Sequence, residues 1–184
     1  KNLAGVGVIF YVLLALRSRL REHGAWDGSP QPNGPNLAEL LDLVALGTVA
    51  DVVKLDSNNR ILVHQGLQRI RSGQMRPGLA ALLNVAGRNV ETATASDLGF
   101  AVGPRLNAAG RLTDMSLGIE CLLAQDAPSA ERIAGELDEL NRSRREIEAD
   151  MRDDAERAVR AMRFNDSPPG ALCLFEADWH PGVV

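Results

Sequence analysis

The sequence predicts a helix-rich α/β fold, and three observations carry that prediction. Apolar residues make up 45% of the 184 positions but aromatic ones only 4%, so Leu, Ala, Val and Ile must carry the packing. That composition suits helices layered on a sheet better than a β-sandwich. Apolar residues also recur at three- and four-residue steps through much of the chain, most persistently over 128–163. Near the end, a short apolar run, Ala171–Phe175 (ALCLF), reads as a strand.

In order along the chain, residues 3–23 read as a mostly buried helix that ends at Gly24, a C-cap glycine. Residues 25–35 (AWDGSPQPNGP) lack any period and read as a loop. Asn36 is a good N-cap for a helix carrying Leu37, Leu40, Leu41, Val44 and Ala45, which is expected to break at Gly47. Thr48–Leu55 is β-branched and runs into a turn, Asp56–Asn59, before a helix over about 59–71. Pro77-Gly78 starts a short helix through Val85, and Thr94 or Ser96 can cap the next one. Met115–Ala124 is a short apolar helix.

Pro128 opens the longest element, about 128–163, with Ile133, Leu137, Leu140, Ile147 and Met151 on one stripe and dense charge, Asp138 included, on the other faces. At about 1.5 Å per residue it reaches on the order of 50 Å, a span suited to a strut between domains. Asp166–Gly170 (DSPPG) ends it before the expected strand.

The net charge of −4 excludes a protein that coats nucleic acid with a uniformly basic surface, though it is compatible with a local basic groove. Cys121 and Cys173 sit in apolar contexts without CxxC spacing, which predicts buried free thiols in a reducing cytosol. The apolar run Leu3–Leu16 is too short to span a bilayer, which takes roughly 20 residues.

Two stretches stand out chemically. Leu98–Leu112 (LGFAVGPRLNAAGRL) sets Arg105 and Arg111 around Asn107 among small residues. Gly, Pro and Ala let the backbone approach a ligand, and guanidiniums grip phosphates in a bidentate manner. Taken alone, the same pattern also describes a glycine-kinked helix end with two solvated arginines. Leu40–Leu55 (LLDLVALGTVADVVKL) places Asp51 among apolar neighbours, where a carboxylate must be paired, capping or metal-bound. Asp42 reads as a structural hydrogen-bonding residue. Asp97 and Asp114 read as a first-turn helix charge and a turn residue.

Together these stretches resemble the RecJ-type exonucleases, single-strand-specific 5′→3′ DNA exonucleases of the DHH phosphoesterase superfamily. LAGVGVIFYVLLALR (Leu3–Arg17), NNRILVHQGLQRIRSG (Asn58–Gly73), MSLGIECLL (Met115–Leu123) and WHPGVV (Trp179–Val184) extend the resemblance colinearly over nearly the whole chain. It implies that 1–126 is the C-terminal part of a DHH domain with a parallel sheet and that 127–166 is a connecting helix. Residues 167–184 would then begin a DHHA1-type domain.

By the same resemblance Asp51, in GTVAD, is a metal ligand and catalytic residue for Mn²⁺ or Mg²⁺. It is expected to face a cleft beside Gly47. Lys54 stands where the family usually has proline. Arg105, Asn107 and Arg111 become candidate DNA contacts. His180, in WHPGVV, is either a further nucleic-acid contact or a structural residue packed by Trp179. The family's Asp-His-His triplet and Gly-Gly-His segment are not in this sequence, and of its histidines (His23, His64 and His180) no two are adjacent. The expectation is therefore an internal fragment of a cytoplasmic repair and recombination nuclease, inactive by itself. Its partner would be single-stranded DNA, with a single-strand-binding protein or a helicase as partners of the parent. The alternatives are another DHH phosphoesterase, acting on oligonucleotides or cyclic dinucleotides, and a non-catalytic helical scaffold.

Overall fold

The computed structural model describes residues 2–162 and 170–183, and among them the chain is helical. Helix α1 (Gly5–Glu22) closes on Gly24, whose φ of +70° is the left-handed conformation that glycine adopts without strain. A 3₁₀ turn, Leu37–Leu40, opens on the side chain of Asn36 and leads into α2 (Leu41–Ala50). Asp56 accepts from the Asn59 N–H and caps α3 (Ser57–Arg71). Helix α4 (Pro77–Val85) starts on proline, whose missing N–H would have been unpaired there anyway.

Thr94 and Asp97 form a reciprocal capping box over a single turn, α5 (Ala95–Asp97). That turn continues into a π turn (Leu98–Val102) and then α6 (Gly103–Leu112). After α7 (Ser116–Leu123), Asp126 caps α8 (Ala127–Ala161), one continuous helix of 35 residues.

The main core is drawn from α2, α3, α4, the π turn, α6, α7 and α8, with Ile70, Leu79, Leu82, Leu98, Val102 and Leu137 fully buried. A smaller cluster, Phe10, Leu37, Val44 and Leu62, joins α1 to α2 and α3. Two helix crossings depend on glycine. A Cβ at Gly66 would stand 2.2 Å from the Leu41 carbonyl oxygen, and one at Gly78 would stand 1.8 Å from that of Cys121. Helix α8 packs its first turns on α4, α6 and α7, and none of its side chains beyond Asn141 is fully buried.

The structure departs from the sequence reading at several points. No strand occurs among the described residues, so they form a helical array and not the expected α/β layers. Ala171–Phe175 is irregular, because a strand exists only through a hydrogen-bonding neighbour and no described segment supplies one. The expected helix break at Asp166–Gly170 falls largely on residues 163–169, outside the described ones.

Helix α2 does not break at Gly47. It runs on to Ala50, and the glycine answers a contact instead, since a Cβ there would stand 2.6 Å from Val6 Cγ1. Helix α1 is not mostly buried. Only Gly7 and Phe10 are, because its described neighbours cover one side and leave Val8, Ile9, Val12 and Leu16 about half exposed. Cys121 is buried, with its thiol pushed up to about 11 by desolvation, whereas Cys173 is exposed on the irregular segment. Asp138 and Asn141 are buried rather than on a solvated face.

Candidate functional site

Asp51 ends α2, its backbone N–H donating to the Gly47 carbonyl at 3.0 Å. Its side chain is exposed and makes no hydrogen bond or ion pair among the described residues, so it is neither an N-cap nor half of a buried salt bridge. Among the described residues it stands in the open. The last carbonyls of a helix carry partial negative charge. A carboxylate placed there gains nothing from the helix, and the two together favour a cation.

Val52 follows at φ +54°, a left-handed conformation that is costly for a β-branched residue, with 88% of its surface exposed. The chain beyond it is pinned from α3. Buried Asn59 donates through Nδ2 to the carbonyls of Lys54 and Asn2 at 2.8 Å each, and Arg60 Nε donates to Leu55 O at 2.8 Å.

The π turn lies directly against this end of α2. A Cβ at Gly99 would stand 3.1 Å from Val49 Cγ1, and one at Gly103 would stand 3.7 Å from the Ala50 methyl. The two motif stretches therefore meet backbone to side chain, one residue before Asp51. Asn107 and Arg111 stand one and two turns beyond Gly103 on the same side of α6, since residues four apart share a helix face. Both are exposed. Arg111 commits one of its five donors, Nη1, to the Gly182 carbonyl oxygen at 2.7 Å.

Arg105 is turned elsewhere. Its Nε and Nη2 reach Asp138 Oδ1 at 2.9 and 2.7 Å, and Nη1 donates to the Ala101 carbonyl at 2.7 Å. The Arg105 and Asp138 side chains are only 15% and 4% exposed. Asp138 Oδ2 is taken by Arg142. Removing one member of such a pair leaves a buried charge uncompensated, at about 3–5 kcal/mol. The structure thus splits the motif: Asn107 and Arg111 face outward together, and Arg105 is engaged inward by α8.

His180 is half-buried and structural in its local contacts, its Nδ1 accepting the Gly182 N–H at 3.1 Å in a turn. A Cβ at Gly182 would stand 2.7 Å from the Arg111 carbonyl oxygen, so the turn at Gly182 docks on the end of α6. Within α3, Arg71 Nε donates to Ala93 O at 2.8 Å and Arg69 Nη1 to Gln74 Oε1 at 3.2 Å. His23 and His64 are exposed.

Asp138, the strained Val52 and the π turn were missed by sequence reasoning. Only Asp138 carried a signal, a charge beside Leu137 on the packed stripe of α8.

The chain is 58% identical over 185 aligned positions to the single-stranded-DNA-specific exonuclease RecJ of Dickeya dadantii, covering 100% of this chain and 32% of that protein. The chain belongs to the RecJ family. It spans about a third of the length of the curated RecJ relative. Solved structures of Thermus thermophilus RecJ share the fold at 35% identity. The complex with Mn²⁺ superimposes with a TM-score of 0.75, over 96% of this chain and 24% of that one. The complex with Mg²⁺ gives 0.72, over 96% and 25%. No family model matches the chain.

Asp51 is a hard oxygen donor of the kind both ions take. No group of three or more His, Cys, Asp or Glu that could hold a metal occurs among the described residues. The described residues therefore do not make a metal centre alone. No helix among them is long and apolar enough to cross a membrane.

Proposed function

We propose that this chain is part of the catalytic core of a single-stranded-DNA-specific exonuclease that hydrolyses phosphodiester bonds from the 5′ end. The observation that carries the reading is the meeting of α2 and the π turn. It brings the exposed Asp51 carboxylate to the root of the helix that presents Asn107 and Arg111, in a chain with RecJ sequence throughout. Asp51 supplies one ligand to a Mn²⁺ or Mg²⁺ centre whose other ligands come from elsewhere in the longer protein, so the chain alone cleaves nothing. When bound, such an ion polarises a phosphoryl oxygen and lowers the pKa of a bound water.

What these residues do themselves is hold and orient. Arg111 grips a backbone phosphate with its remaining donors, and Asn107 donates to a neighbouring oxygen. Arg105 serves from behind the helix. His180 holds the turn that docks Gly182 on Arg111. With few aromatics to stack on bases, recognition rests on the backbone and tolerates any sequence.

Residues 1–126 belong to a DHH domain completed by a parallel sheet, and 127–166 to a connecting helix. Residues 167–184 open a DHHA1-type domain in which Ala171–Phe175 finds its neighbouring strand. The setting is cytoplasmic DNA repair and recombination, with a single-strand-binding protein or helicase as partners. In the full-length protein, Asp51→Ala should abolish Mn²⁺-dependent degradation of a 5′-labelled single strand and leave the melting temperature within a few degrees. Activity above a tenth of wild type would remove Asp51 from the site.

A further inference from the structure

We propose that Arg105 and Asp138 are positioning residues, a joint through which α8 sets the pose of the DNA-facing side of α6. Of the two motif arginines, Arg111 is exposed at the end of α6, whereas Arg105 is drawn inward with three donors committed. Two of these donors hold Asp138 and the third holds the Ala101 carbonyl inside the π turn, where the i→i−4 ladder is interrupted. One side chain therefore binds the π turn, the first turns of α6 and the packed first third of α8 together.

Asp138 is equally committed, since its second oxygen is taken by Arg142 one turn further along α8. The other α6–α8 packing is apolar, through Leu106 and Ala109 on one side and Ile133, Ala134 and Leu137 on the other. Apolar contact is non-directional and permits sliding, whereas a two-donor grip on a carboxylate fixes rotation and register. A shift of α8 is then passed to the turn bearing Gly103 and Asn107, and through the Gly99 and Gly103 contacts to the end of α2 beside Asp51.

This inference rests on the reading of Asn107 and Arg111 as phosphate contacts. The variants are Asp138→Asn, Arg105→Gln, their double and Arg105→Lys in the full-length protein, assayed on a single-stranded oligonucleotide. Each single variant should raise KM about tenfold, with kcat within about threefold, because pose and not the reacting centre is disturbed. The double should be no worse than the worse single, as for residues acting as one unit. Arg105→Lys keeps the charge without the fork and should recover only part of the loss. The salt slope of binding should stay at its wild-type value throughout.

A slope flattened by about one unit in Arg105→Gln, with Asp138→Asn unaffected, would make Arg105 a phosphate contact and overturn the joint. Additive effects of the two single variants, or lowered melting with wild-type KM and kcat, would overturn it too. If Arg111→Ala leaves the slope unchanged, the phosphate reading itself fails. The joint is then decided without DNA by amide exchange over residues 98–112. Faster exchange there than in α3 for Asp138→Asn supports it, and equal exchange in the two segments rejects it.

Discussion

The carboxylate of Asp42 joins two helices through the backbone: Oδ2 accepts the Arg76 N–H at 2.9 Å while Oδ1 accepts that of Leu43 at 2.8 Å. Arg76 is the residue that precedes α4, so this buried side chain fixes where α4 starts relative to α2. Replacing it by alanine strands two backbone donors. The expected loss is about 3 kcal/mol, given roughly 1–3 per unsatisfied buried group. Urea denaturation should show a lower midpoint with an unchanged m-value. Asp42→Asn keeps one acceptor oxygen and should lose less.

Gly78 and Gly135 make opposite predictions for the same substitution. At Gly78 a methyl would overlap the Cys121 backbone, which cannot retreat without parting α4 from α7, so alanine should cost more than about 3 kcal/mol. At Gly135, inside α8, a Cβ meets nothing within 4 Å. Alanine there should stabilise by roughly 0.5–1 kcal/mol through helix propensity alone. Thermal melting of the two variants should move in opposite directions.

The Thr94–Asp97 box predicts a pH dependence. Hydrogen bonds from the Thr94 hydroxyl and N–H, helped by Arg88, hold the Asp97 carboxyl below its ordinary value of 3.8. The folded state then binds this proton more weakly than the unfolded one, so the contribution is complete above the ordinary value and fades as pH falls through the folded one. The stability gap between wild type and Asp97→Asn should be constant from about pH 7 to 5 and shrink below about pH 4. Thr94→Ala should cost about 1 kcal/mol at neutral pH.

Val52 holds its left-handed backbone with no burial to offset the strain. Asparagine tolerates that conformation, so Val52→Asn should stabilise by up to about 1 kcal/mol. Val52→Gly relieves the same strain but adds freedom to the unfolded chain and should gain less. Chemical denaturation of both variants ranks them.

Signals that act within one turn of the chain were legible in the sequence. Asn36, Thr94 and the prolines at 77 and 128 mark helix starts, and α8 was visible as one long stripe interrupted at Arg144. Signals that depend on a distant partner were not. Gly47 looks like a helix end because nothing local reveals Val6 pressing on it, and Arg105 looks like a surface cation because Asp138 lies 33 residues away. The apolar side of α1 suggests burial because hydrophobicity records that a face wants covering and not what covers it. The resemblance singled out Asp51, Asn107 and Arg111, and the structure leaves all three exposed. The inward turn of Arg105 required coordinates, since motif spacing does not say which side of a helix its neighbours occupy.

Helix α8 also has a mechanical consequence. Its fully buried side chains end at Asn141, and the 20 residues from Arg142 to Ala161 carry the axis roughly 30 Å further at about 1.5 Å each. A tilt of about 5° at the gripped end displaces the far end by roughly 2.5 Å over that length. Whatever the far end carries is therefore aimed by the fit at Asp138, where an error too small to break a hydrogen bond becomes a displacement as wide as an atom.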